Sequence, residues 1–191
     1  MSLGETFDTR GTCSKLRLRT AVWILLIAAL SSKLPAQLQD EQTVKAAFVF
    51  NLTKYVEWPR ADHELTIGVI GEGLMGETLK RLLEGRKSEE RLIRVVLSPN
   101  NEQLESCSVL YFAQSPSKRV QSMIGRVQNK SILTVGDTDS FIGDGGIIGL
   151  VRTGDAVQIQ VNLEAAQAAH LNISSHLLNL SKIVRKGGPK S

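Results

Sequence analysis

Apolar residues recur at three- and four-residue spacing early in the chain. Val44, Ala47, Phe48, Asn51, Leu52, Tyr55 and Val56 fall on one side of a helical projection. The spacing predicts an amphipathic helix that leaves Lys45, Lys54 and Glu57 in water. Pro59 disfavours helical geometry at Trp58, so the helix should stop there. Asn51 is the polar member of the stripe, and a buried amide without partners costs on the order of a few kcal/mol. Asn51 is therefore expected to tie the helix to a neighbouring backbone.

Short apolar runs then alternate with amphipathic ones. Leu65–Ile70, Arg91–Ser98, Val109–Ala113 and Ser131–Val135 read as strands, and Glu77–Leu83 and Ser117–Val127 as helices. Strands alternating with helices imply a largely parallel sheet with helices on its faces. Gly146–Val151 and Ala156–Val161, joined through Arg152-Thr-Gly-Asp155, read as an antiparallel hairpin. Asn162 can cap a short helix over Leu163–Ala169. A last helix starts at Ser174, with Ile173 and Leu178 placed as a hydrophobic staple and Lys182, Arg185 and Lys186 at its C-terminal end. Leu177, Leu178, Leu180, Ile183 and Val184 supply its buried side. The expectation is one α/β domain over residues 37–186: three layers, a mostly parallel sheet, a C-terminal antiparallel hairpin and helices on both faces. Residues 187–191 are a tail.

Charge sharpens the picture at the N-terminus. The formal net charge is +4, but five of the 23 basic and two of the 19 acidic residues precede residue 37, leaving 18 against 17. The basic balance belongs to the leader and gives no argument for nucleic-acid binding. There, Lys15, Arg17 and Arg19 precede the ten-residue apolar run Ala21–Leu30. That length suits a secretory signal and is too short to span a bilayer as a helix. Small residues follow, and cleavage is expected after Ala36, giving a signal peptide over residues 1–36, an exported protein and no membrane insertion after cleavage. The rival reading is an uncleaved signal anchor. Of the two cysteines, Cys13 lies in the leader, so Cys107 cannot form an internal bridge and is read as a packed, unreactive thiol.

Candidate chemistry is sparse. Gly71-x-Gly73-x-x-Gly76 matches a dinucleotide-binding fingerprint between a strand and a helix. Glu72 would set a carboxylate against a pyrophosphate, however, and an exported protein has little access to nicotinamide cofactors. The reading favoured is a tight turn, with a smaller anion at the helix N-terminus as the alternative. Asp137, Asp139 and Asp144 share one loop, but Phe141 stands where a third calcium ligand belongs, which favours a solvated turn. His63, His170 and His176 form no zinc motif, and no nucleophile elbow is present. No catalytic residue, cofactor or metal is expected. Three glycosylation sequons, at Asn51, Asn172 and Asn179, are read as chance.

Several stretches in order carry a family likeness. They are Val44–Leu52 with Tyr55-Val-Glu-Trp-Pro59, Ile67–Gly71, Ile132–Asp137, Gly145–Ile148, Val161-Asn-Leu163 and Ile173–Leu180. The set, over roughly residues 42–184, resembles the YfiR-like proteins of the bacterial periplasm. The resemblance implies a non-enzymatic repressor that binds the periplasmic domain of a membrane-bound diguanylate cyclase, lowering cyclic di-GMP and biofilm formation. Other members imply a sensor kinase as partner, and the family implies homodimers. The family's type member depends on disulfides, from which this sequence departs. The expected contact surface is the last helix (His176, Lys182, Arg185, Lys186) and the loop holding Phe141 and Asp144. Two rivals stand beside this reading. One is a nucleotide- or small-ligand-binding protein using Gly71, Gly73 and Gly76, and the other an envelope assembly factor.

Overall fold

The computed structural model describes residues 34–59, 63–154 and 156–184. The proposed signal peptide, Arg185 and Lys186 lie outside the described residues, except that 34–36 begin the first helix. That helix, α1 (Leu34–Tyr55), is followed by β1 (Val56–Glu57), β2 (Glu64–Gly71), α2 (Leu74–Leu83), β3 (Lys87–Ser88) and β4 (Arg91–Leu97). Next come α3 (Asn101–Ser106), β5 (Val109–Ala113), α4 (Ser117–Val127), β6 (Leu133–Gly136), β7 (Ile148–Thr153) and β8 (Ala156–Val161). The chain ends with α5 (Leu163–Ala168), β9 (Asn172–Ile173), α6 (Ser175–Asn179) and β10 (Lys182–Ile183).

Eight strands form one sheet in the order β10-β8-β7-β6-β5-β2-β4-β3. From β4 through β7 the pairs are parallel, and β7 and β8 make the expected antiparallel hairpin with Thr153 opposite Ala156. The architecture agrees with the expectation of a three-layer α/β domain. Alternate strand residues point to opposite faces. Leu65, Ile67, Val69, Val109, Tyr111, Leu133 and Val135 join the core that includes residues of α1 and α2. Ile70, Leu110, Phe112 and Ile132 join the core that includes Leu104 of α3 and Val120 and Val127 of α4. Because β4 lies on one side of β2 and β5 on the other, the chain reverses its direction of travel across the sheet there. In such sheets the carboxyl ends of the two diverging strands frame the usual ligand crevice.

Four local expectations are corrected. The buried side of α1 is Gln42, Lys45, Ala46, Val49, Leu52 and Thr53. It is turned by roughly a third of a circle from the stripe read in the sequence. Asn51 and Ala47 are exposed and Val44 is 40% exposed. The helix also ends at Tyr55, before Trp58, because Val56 and Glu57 pair with Ile173 and Asn172, and the Ser174 N–H takes the Tyr55 carbonyl (2.9 Å). The helix after Gly73 begins at Leu74, three residues earlier than expected. Finally, the last helix is only Ser175–Asn179. Ser174 caps it, its hydroxyl accepting the Leu177 N–H (3.4 Å), but Lys182–Ile183 then become a strand beside β8. That pairing gives the Val184 N–H the Val161 carbonyl (2.8 Å), a partner the helix could not have offered.

Candidate functional site

The burial of Lys45 gathers a polar cluster beneath α1. Lys45 is 4% exposed, and its ammonium lies 2.7 Å from Glu41 Oε1 and 3.4 Å from Asp137 Oδ2. The Asp137 side chain is 2% exposed, so this residue is not part of the solvated turn that its loop suggested. Its Oδ1 accepts the Gln114 N–H (2.9 Å), and Arg152 reaches Glu41 Oε2 (3.0 Å) from β7. The Lys45 hydrogen bond holds the Glu41 carboxyl below its ordinary value, with Arg152 adding to the effect. Tyr111, fully buried on β5, faces Asp137. Burial first, then the Asp137 charge, push its phenol well above the ordinary value. Among the described residues, its hydroxyl and Gln42 Oε1 complete no hydrogen bond of normal geometry. A buried polar group without a partner costs roughly 1–3 kcal/mol, so this is an expensive place to keep polar atoms. The cluster joins α1, β5, β7 and the end of β6.

Gly71 and Gly73 stand at the carboxyl end of β2, beside β5. Both have positive φ (109° and 108°). A Cβ at Gly71 would collide with the Ala113 carbonyl oxygen and lie 2.8 Å from Ser115 Oγ. Gly73 faces open space. Gly76 sits inside α2, where a Cβ would lie 3.1 Å from Leu97. Two of the three glycines thus answer to chain packing, and Gly73 answers to backbone conformation.

The residues expected to contact a partner fall into two places. His176 is exposed on α6 and its ring sits 5.1 Å from that of Tyr55. Lys182 is exposed on the edge strand β10. Between and beside them Leu180 is 65% and Ile183 50% exposed, which the helical reading had buried. In the other place, Phe141 is fully buried, packed over Gly136 and Gly146 and 5.5 Å from the Phe112 ring. Phe141 therefore anchors its loop from inside and offers no contact surface, which corrects its expected role. Asp144 remains at the rim, accepting from Gln121 Nε2 (2.7 Å) and Ser140 Oγ (2.9 Å).

Cys107 is buried, its thiol donates to the Gln103 carbonyl (3.1 Å), and burial pushes it up to about 11. Among the described residues no group of three or more His, Cys, Asp or Glu could hold a metal, and no helix is long and apolar enough to cross a membrane. The exposed pair Leu180 and Ile183 was missed because the helix period was carried on past Asn179, where α6 ends. Lys45 and Asp137 were missed because charged side chains in a helix and a loop read as solvated.

A family model described as YfiR/HmsC-like matches residues 42–182. No curated protein matches. Nine chains of solved structures match. One, described as an ABC domain in complex with L-Trp from Streptococcus pneumonia, aligns with a TM-score of 0.50 at 9% identity. The alignment covers 75% of this chain and 60% of that one, and the likeness is one of fold.

Proposed function

The chain belongs to the YfiR/HmsC-like family of periplasmic regulators of diguanylate cyclase signalling, and from that premise we propose that it is exported by its leader and represses a membrane-bound diguanylate cyclase. It does so by contact with the cyclase's periplasmic sensor domain and without turnover. The contact surface is the corner made by α6 and β10. The observation that carries this assignment is the exposure there of Leu180 and Ile183, three residues apart. Val44, Leu74 and Leu92 are the other large apolar side chains left exposed among the described residues, and no two of them are close in sequence. Apolar side chains grouped at the surface and rimmed by polar ones mark protein-binding sites. His176 and Lys182 are exposed on the same segment, with Arg185 and Lys186 following in the sequence. Deleting the gene is expected to raise cellular cyclic di-GMP, and the intact gene to restore it. A gene carrying Leu180→Asp and Ile183→Asp should fail to restore it while giving normal protein levels. No rise on deletion would overturn repression, and full rescue by the double variant would overturn the surface.

A second reading has one observation in its favour. Gly71–Gly76 turns at the carboxyl end of β2, at the switch point where this class of sheet binds ligands. Calorimetry of the mature chain with nucleotides tests it: micromolar binding abolished by Gly73→Asp would support this reading, and no heat would remove it.

A further inference from the structure

We propose that the cleft between α4 and α5 binds a small amphipathic molecule with an apolar body and a cationic, hydrogen-bond-donating head. The cleft has a volume of about 540 Å³, within the range of small-molecule sites. It shares no lining residue with the Lys45 cluster or with the α6–β10 corner. Ile132 and Ile147 form part of its lining, with Ile124 on the α4 side and Ala165 and Ala168 on the α5 side. Two buried polar residues also line it, Thr134 and Asn162. Their side-chain oxygens are committed to the Ile147 N–H (3.0 Å) and the Ala165 N–H (3.1 Å). The interior is thereby left mainly apolar.

Gly125 is the second, independent observation. It lies inside α4, where glycine costs about 1 kcal/mol relative to alanine. Its φ is not positive, and a Cβ built there would meet nothing within 4 Å. Neither backbone conformation nor packing within the chain calls for glycine. Gly125 lines the cleft, and its missing side chain keeps that space open.

The charge of the cleft selects the head group. Asp144 and Glu164 line it, and among the described residues no Lys, Arg or His does. Gln121 and Ser140 hold the Asp144 carboxylate in place, and each of its oxygens retains a lone pair for a further donor. An ammonium is the complement, whereas a carboxylate in the same place would meet two like charges.

The test is calorimetry of the mature chain with 2-phenylethylamine, and with 3-phenylpropionate as the anionic counterpart. The amine is expected to bind at least about tenfold more tightly, and amide shifts in NMR should cluster at Ile124, Gly125, Ala165 and Ala168. Asp144→Asn should weaken the amine several-fold. Gly125→Leu should abolish binding without lowering the thermal midpoint, because the new side chain enters the cleft. Gly125→Ala, which adds one methyl group, should raise the midpoint and controls for folding. No binding of the amine, equal binding of both compounds, or unchanged binding by a folded Gly125→Leu would each overturn the proposal.

Discussion

Replacing Lys45 by methionine removes the cation from the cluster under α1 while keeping most of the side-chain volume. The Asp137 side chain, 2% exposed, would keep the Gln114 N–H but lose the only cation paired with it among the described residues. Glu41, 18% exposed, would keep Arg152. Removing one partner of a buried ion pair typically costs about 3–5 kcal/mol, because the remaining charge is left unpaired. The surviving partners place this case near the lower end, about 3 kcal/mol. With a urea slope of about 2 kcal/mol/M, the unfolding midpoint should fall by about 1.5 M. Trp58 gives the signal, since its indole donates to the Ser108 carbonyl (3.2 Å) and packs under Arg91. Adding Asp137→Asn to Lys45→Met should recover at least about 1 kcal/mol by removing the stranded charge. A loss below about 1 kcal/mol for the single variant would refute the reasoning, since that is the behaviour of a solvated lysine.

Other outcomes follow from the same geometry. The folded-state Glu41 carboxyl is held below its ordinary value of 4.5, so its contribution to stability is complete above that value and is lost as pH falls through the lowered one. Glu41→Gln should therefore cost most near neutrality and least in acid, as read by urea midpoints across pH 3–7. The Cys107 thiol, raised to about 11, holds only about one part in a thousand as thiolate at pH 8. A disulfide reagent should label it at the rate of global unfolding, and rapid labelling of the native chain would contradict the burial. Gly71→Ala should destabilise far more than Gly73→Ala. Both carry the positive-φ cost of roughly 1–2 kcal/mol, but only Gly71 also meets a carbonyl oxygen. Equal thermal shifts would contradict the close approach of β2 and β5.

Much of the fold was legible because it rests on local patterns. Val109–Ala113, Ser117–Val127 and Ala156–Val161 lie where period and turn residues put them. The Asn162 cap is present, its side chain accepting the Ala165 N–H. The short helix Asn101–Ser106 was passed over although Asn100 and Gln103 form a reciprocal capping box. A six-residue helix gives too little periodicity to register. The α1 face was misread because burial there is decided by partners distant in sequence: Asp137 lies 92 residues from Lys45. A hydropathy pattern counts Lys45 as polar and has no means of seeing the carboxylates that make its burial affordable. The end of the chain was misread for a related reason. Leu177, Leu178 and Leu180 suit a helix, but the free edge of β8 offers Lys182–Ile183 backbone partners. Of the proposed contact residues, His176 and Lys182 lie on the same C-terminal segment with Leu180 and Ile183. Phe141 reads as a loop aromatic in the sequence and turns out to be core.

Repression by contact is tested most directly by binding between this chain and a membrane sensor. The mature protein would be titrated by calorimetry onto the purified periplasmic domain of the diguanylate cyclase encoded nearest to its gene. A saturable complex is expected, which Leu180→Asp with Ile183→Asp weakens at least about a hundredfold, consistent with loss of a central apolar contact. Absence of a complex with the folded wild-type protein, or an affinity unmoved by the double substitution, would contradict repression by contact at this surface.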